Sequence, residues 1–346
     1  MRLANIIERP RLRCALQSRI LSPSHGKGIA MTNTTDTMAH TSDGTAAMQA
    51  AFVGERDGYK WYHVEDPAGP ALDELAKAYG LHELAIEDCR VPDTRAKIDP
   101  YGDTLFVVGN IVHYDSEINA CSFTEMDFFV NPKFVISVTQ GQNGFADAVK
   151  TVFMSDPRLS SPARLLHRLL DGMVDRYLPI LDSIEERIES VEEKAIEHTS
   201  AKLLAEIFEL KRALIEFRRV GTAMRDMVSQ LLRRSEPWLE SEKLYFQDVY
   251  EHLLRALEFT ETYRDILTGV LEVHLTAAAN RTNDIVKVMT LAATVTLPIL
   301  LITGYYGMNF DNLPFQHAKW GIYFATGLMT VLVAILLLIF KRTGWY

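Results

Sequence analysis

Cysteine is scarce in this chain. Three occur in 346 residues, Cys14, Cys89 and Cys121, and none forms a CxxC pair. That excludes a disulfide framework and a thiolate zinc site, and it fits reduced thiols in a cytosolic setting. The ten histidines show no HxxxH spacing, so a helical zinc site is excluded too. No glycine-rich phosphate loop and no nucleophile–base pair can be found, which argues against an enzyme and against ATP-driven transport. An excess of base is also missing: 36 Lys and Arg stand against 45 Asp and Glu, a formal charge of −9. Nucleic acid is therefore not an expected partner, while a protein that handles cations would suit this balance. The first residues, MRLANIIERPRLRCALQSRI, are rich in arginine but lack the apolar run of a secretory signal. Residues 1–48 read as a disordered N-terminal extension, in which Met31 is an alternative start.

Charge itself is absent from two long stretches. Val288 to Phe310 has 23 residues without a charged side chain, and Trp320 to Phe340 has 21. As helices, each reaches about 30 Å, the thickness of the hydrocarbon core of a bilayer. Two transmembrane helices follow, at 285–309 and 320–341, joined by a short external loop at 310–319. The alternative is a buried apolar hairpin. Arg281 and Lys287 precede the first span, and Lys341 and Arg342 follow the second. By the positive-inside rule both chain ends are cytoplasmic, with 342–346 as a basic tail.

The chain before the spans has two grammars. From 49 to 160 it reads as a compact cytoplasmic α/β domain. Strands are expected at Lys60–Val64, Thr104–Tyr114, Thr124–Val130 and Phe134–Thr139, from β-branched and aromatic runs bounded by turn residues. Helices are expected at Leu72–Tyr79, Glu83–Cys89 and Ala146–Met154. From 161 to 284 apolar residues recur every three or four positions, which predicts a helical stalk. One helix is expected from Ala163 to about Glu197 and a second from Ser200 to about Arg234. A third starts near Leu239. No proline follows before Pro298, so this helix is expected to run on to Tyr306, about 100 Å, and to need neighbours in an oligomeric bundle.

One face of that helix carries Glu272, Thr276, Ala279, Asn283, Val286, Thr290, Ala293, Leu297, Leu300 and Gly304. These lie within about 120° of one another at about 100° per residue. The face is acidic at its inner end, carries an amide, and turns small or apolar through the membrane. A narrow pore would need this order: a carboxylate ring to gather cations, then an amide ring, then a constriction that gates by dewetting. Plain helix packing through small residues explains the same pattern.

The first span ends in Tyr306-Gly307-Met308-Asn309. GMN at the outer end of the penultimate span, after a long charged helical region and before a basic tail, resembles the CorA family of divalent-cation channels. The resemblance covers roughly Gln49 to Tyr346. It implies a homopentameric funnel in the bilayer, with Mg²⁺ as cargo and as regulator, and Co²⁺ or Ni²⁺ as further cargo. It implies a selectivity filter at Gly307, Met308 and Asn309. It also implies pore rings at Glu272, Asn283, Val286, Met289 and Leu297. Leu300 departs from relatives with threonine there, and Thr303 lies about 60° round the helix. Acids matching Asp88 and Asp248 would meet across a subunit boundary and bind intracellular Mg²⁺. The external loop is poor in acid, with Asp311 and then His317. That leaves two further readings: a zinc transporter of the same superfamily, and a membrane-anchored scaffold without flux.

Overall fold

The computed structural model describes residues 47–91, 95–197, 200–308, 314–315 and 318–344. Most of the expected N-terminal extension lies outside the described residues. Residues 47–50 are helical, although 47 and 48 fall within the extension expected to be disordered. The reason is Met48, whose side chain packs against the apolar cluster around Tyr62 and Val64.

Six strands form one sheet: β1 (Phe52–Arg56), β2 (Tyr59–Val64), β3 (Lys97–Tyr101), β4 (Thr104–Asp115), β5 (Ala120–Asn131) and β6 (Phe134–Thr139). Their order is β1-β2-β6-β5-β4-β3. The β2–β6 pair is parallel and every other pair is antiparallel. Sequence reading misses β1 and β3. Gly54 interrupts β1 and Pro100 interrupts β3, and both are outermost strands, where such residues are tolerated. The turn before β2 is legible in retrospect: Asp57 and Gly58 both have positive φ, 44° and 83°, as a two-residue hairpin turn requires.

Side chains alternate across the sheet. On one face Trp61, Val107, Phe128, Val130 and Val135 pack under α3 (Gly144–Ser155) and α4 (Pro162–Val174). On the other, Tyr62, Phe106, Val108, Phe129 and Ile136 pack under α1 (Pro70–Tyr79) and α2 (Glu83–Arg90). The result is three layers.

The helical part holds α5 (Tyr177–Glu197), α6 (Ala201–Leu232), a short α7 (Pro237–Glu240), α8 (Lys243–Tyr306) and α9 (Gly321–Arg342). The helix expected from Ala163 to Glu197 is two, broken at Asp175 and Arg176. At the join Tyr177 turns inward, fully buried. Its hydroxyl donates to the Asn110 carbonyl at 3.3 Å, and its ring meets Phe217 of α6 edge-on at 5.1 Å. The long helix begins at Lys243 rather than near Leu239, because Pro237 starts a separate turn that buries Leu239. From there 64 residues stay helical through Pro298, a rise of about 96 Å.

Along α8 the buried residues are Phe246, Val249, Leu253, Ala256, Leu257, Thr260, Tyr263, Leu267, Val270 and His274. This stripe faces α5 and α6 of the same chain. Each fully buried large apolar side chain contributes about 1.5–3 kcal/mol. Beyond His274 the chain buries no further residue of α8. The most apolar 18-residue windows of α8 and α9 are only 6% and 0% buried. Core helices of a soluble protein would be covered. These two leave their apolar surface bare, as helices bound for lipid and for other subunits do.

Candidate pore helix and cation sites

The exposed side of α8 begins where its intrachain packing ends. Glu272 and His274 are two residues apart and so point about 160° apart. His274 is buried and Glu272 is exposed. Further along, Asn283 is exposed, and Val286, Met289 and Leu297 are 54%, 67% and 59% exposed. Met289 sits off the line of the others, nearer the azimuth of the buried stripe. Threonine hydroxyls in this region bond their own helix: Thr276 donates to the Glu272 carbonyl at 2.8 Å, Thr296 to Ala292 at 2.8 Å and Thr303 to Ile299 at 2.7 Å. They are thereby satisfied without water. Thr303 is turned to its own backbone and does not replace the hydroxyl that Leu300 lacks.

At the end of α8 the Gly307 amide donates to the Thr303 carbonyl at 2.9 Å, and the Met308 amide to Tyr305 at 3.4 Å. Met308 is 47% exposed. Asn309, Asp311 and His317 lie outside the described residues. On the way to α9, Phe315 packs on Trp320 and Phe324, with ring centroids 4.8 Å and 5.1 Å apart. Gly321 is buried there, and a Cβ on it would overlap the Phe315 carbonyl oxygen.

The cytoplasmic acids have different surroundings. Asp88 stands in the last turn of α2, and Lys97 of β3 donates to its Oδ2 at 2.7 Å and reaches Asp99 at 3.2 Å. Burial works to lower the Lys97 pKa, but bonds to Asp88 and Asp99 outweigh it and hold the ammonium above its usual range. Beneath Asp88, the buried Cys89 thiol bonds Asp127 of β5. Burial pushes the Asp127 carboxyl up to about 7 and drives the thiol pKa upward as well.

Asp248 lies near the start of α8, exposed, with His252 one turn on at 3.9 Å. Asp171 of α4 joins them: one ligand atom from each of Asp171, Asp248 and His252 lies within 4.8 Å of the others. Two carboxylates and an imidazole at that spacing suit a divalent cation, because each carboxylate is repelled by the other until a cation stands between them. Burial raises the pKa of the neighbouring Asp175, and Asp171 adds to the effect. Sequence reading does not single out Asp171 or His252. The Asp248–His252 spacing of four along one helix was a legible signal. Asp171 comes from another helix and had none. Within the single chain Asp88 pairs with Lys97 and Asp248 with His252, so the two expected regulatory acids are not partners of each other here.

The profile of the family described as CorA-like Mg2+ transporter protein matches residues 56–342. The cobalt/magnesium transport protein CorA of Thermotoga maritima is 30% identical over 278 residues, 79% of either chain. A more distant relative is the zinc transport protein ZntB of Yersinia enterocolitica, 22% identical over 80% of this chain and 84% of its own. Among solved structures, the complete CorA magnesium transporter from Methanocaldococcus jannaschii superposes with a TM-score of 0.73 at 22% identity, covering 84% of this chain and 92% of that one.

Proposed function

The chain belongs to the CorA family, membrane proteins that move divalent metal ions and are not enzymes, and from that premise we propose that it conducts Mg²⁺ through a pore lined by five copies of α8. The carrying observation is the exposed face of α8, which holds Glu272, Asn283, Val286 and Leu297 and ends at the Gly307-Met308-Asn309 motif. The Glu272 ring gathers cations and the Asn283 ring holds them by neutral oxygen. Val286, Met289 and Leu297 form the dewetting constriction. At the outer mouth, the Asn309 amide oxygen and the Gly307 and Met308 carbonyls hold hydrated Mg²⁺, which sheds its water reluctantly. Co²⁺ and Ni²⁺ pass by the same route.

In this reading residues 285–309 and 320–341 cross a bacterial inner membrane. Both termini are cytoplasmic, and the domain at 49–160 and the stalk at 161–284 stand in the cytosol. Entry follows an inside-negative potential, about 4.6 kcal/mol per 100 mV for a divalent ion. Intracellular Mg²⁺ closes the pore by bridging Asp88 of one subunit and Asp248 of the next, with Asp171 and His252 close enough to Asp248 to share the ion. Loss of the ion leaves facing carboxylates that repel and loosen the subunit contact.

Zinc is the second reading, favoured by a 310–319 loop in which Asp311 is the one acid and His317 offers a softer ligand. Proteoliposomes holding Mg²⁺- or Zn²⁺-sensitive dye, under an imposed inside-negative potential, separate the two. Mg²⁺ entry supports the proposal. Zn²⁺ entry without Mg²⁺ entry moves the chain to the zinc branch. No flux from a pentameric preparation supports a scaffold.

A further inference from the structure

A cavity of about 700 Å³ opens at the sheet edge, where β1 meets the end of β2. Ala50, Phe52, Pro70 and Met154 form an apolar wall, and His63, Glu65, Asp66 and Lys150 supply polar groups. Phe52 and Met154 are 41% and 66% exposed, so an apolar molecule entering here would cover surface that now faces water. A space of this size, with an apolar wall and a few converging polar groups, is what small-molecule sites offer.

His63 borders the cavity with one nitrogen unserved. The residue is 4% exposed, and its Nε2 has no hydrogen-bond partner. A buried polar atom is ordinarily bonded. The other nitrogen, Nδ1, lies 2.9 Å from the hydroxyl of Ser137, the residue paired with His63 on β6. Nε2, across the ring, is therefore turned away from β6, toward the β1 side that lines the cavity. Ser137 Oγ accepts from Trp61 Nε1 at 2.9 Å and has one proton to give. The Tyr62 carbonyl is farther from it, at 3.3 Å. That proton goes to Nδ1, and the neutral ring carries its own on Nε2. Burial, aided by Lys150, keeps the ring neutral, with its pKa lowered to about 4. Lys150 donates to Glu65 at 3.2 Å and to Asp147 at 2.9 Å, which leaves it one N–H. Asp66 accepts from the Ala68 amide through Oδ1, which leaves Oδ2. A single water would serve Nε2 but would fill only about 30 Å³.

We propose that this cavity binds a small zwitterion with an apolar body, of which an apolar α-amino acid is the simplest case. Its carboxylate takes the remaining N–H of Lys150 and the Nε2–H of His63. Its ammonium meets the carboxylates of Asp66 and Glu65, and its side chain lies against Phe52 and Met154. Two acids and one base line the space. A plain anion would be repelled by the two acids, and a plain cation would leave the His63 donor unserved. The site shares no residue with the exposed face of α8 or with the Asp88–Asp248 bridge, and it does not depend on which ion the pore passes.

The test uses the full-length protein with L-selenomethionine as probe. Crystals grown with it are read by anomalous scattering, and its affinity in solution is read by titration calorimetry. The expected map has a selenium peak between Phe52 and Met154. The expected affinity falls at least roughly tenfold in Lys150→Met and in Asp66→Asn. On the unaltered protein, L-leucine is expected to bind, while 4-methylpentanoate and 3-methylbutylamine, each lacking one of its charges, bind at least roughly tenfold more weakly. No selenium peak in the cavity at saturating probe overturns the proposal. So do affinities that the substitutions and the missing charges leave unchanged. If either variant fails to assemble, the map and the leucine series on the unaltered protein decide.

Discussion

Replacing Lys97 with methionine should make the pore close at lower internal Mg²⁺. The side chain of Lys97 grips Asp88 at 2.7 Å, so a cation arriving at Asp88 competes with an ammonium already there. Both groups are substantially exposed, 39% and 40%, and solvent screens the pair to about 0.2–1 kcal/mol. Removing that competition tightens Mg²⁺ binding at each site by about 1.4- to 5-fold. Methionine keeps an unbranched stem against Phe106, over whose ring the ammonium now lies at 5.8 Å. The assay is Mg²⁺ flux into liposomes at graded internal Mg²⁺, read as the half-closing concentration. Lys97→Arg, which keeps the charge, should leave the midpoint near wild type. A midpoint that stays put or rises in Lys97→Met would show that Asp88 is not the regulatory ligand.

Asp88→Lys combined with Asp248→Lys should keep the channel conducting at internal Mg²⁺ that closes wild type, and unchanged closure in the same flux assay would reject the bridge. Gly321→Ala drives a methyl into the Phe315 carbonyl and should cost about 1–3 kcal/mol, seen as earlier heat dissociation of the oligomer; full wild-type stability would contradict the packing. His63 is buried, and burial, aided by Lys150, lowers its pKa to about 4. The unfolded chain therefore takes up that proton first as pH falls. Stability is complete above about 6.5 and drops by at most about 3 kcal/mol as pH approaches 4. Acid unfolding followed by circular dichroism should show that limb, flattened in His63→Asn.

How much was legible beforehand follows from what each element depends on. Strands β2, β4, β5 and β6 could be read because they are central and their apolar or β-branched runs are long. Strands β1 and β3 were hidden by Gly54, where the pairing register shifts, and by Pro100, whose missing N–H an edge strand tolerates. The join at Asp175 and Arg176 had one signal in the sequence, Pro179, which fits the first turn of a new helix and not the interior of a continuous one. It is set by Tyr177 burying its ring against Phe217 and its hydroxyl against the sheet, contacts that exist only after folding. The exposed face of α8 was legible because helical periodicity is local. Asp171 was not, since its place beside Asp248 and His252 comes from the packing of α4 on α8. The His63–Ser137 pairing likewise depends on strand register, which the sequence pattern alone left open.

The most direct test of the account is Mg²⁺ current across a planar bilayer containing the purified protein, with Asn309→Ala measured beside wild type. The account predicts a Mg²⁺ current in wild type that grows with the driving potential, and its loss in a variant that still assembles. Wild-type protein that assembles and carries no divalent current, or an Asn309→Ala variant that conducts as well as wild type, would contradict it.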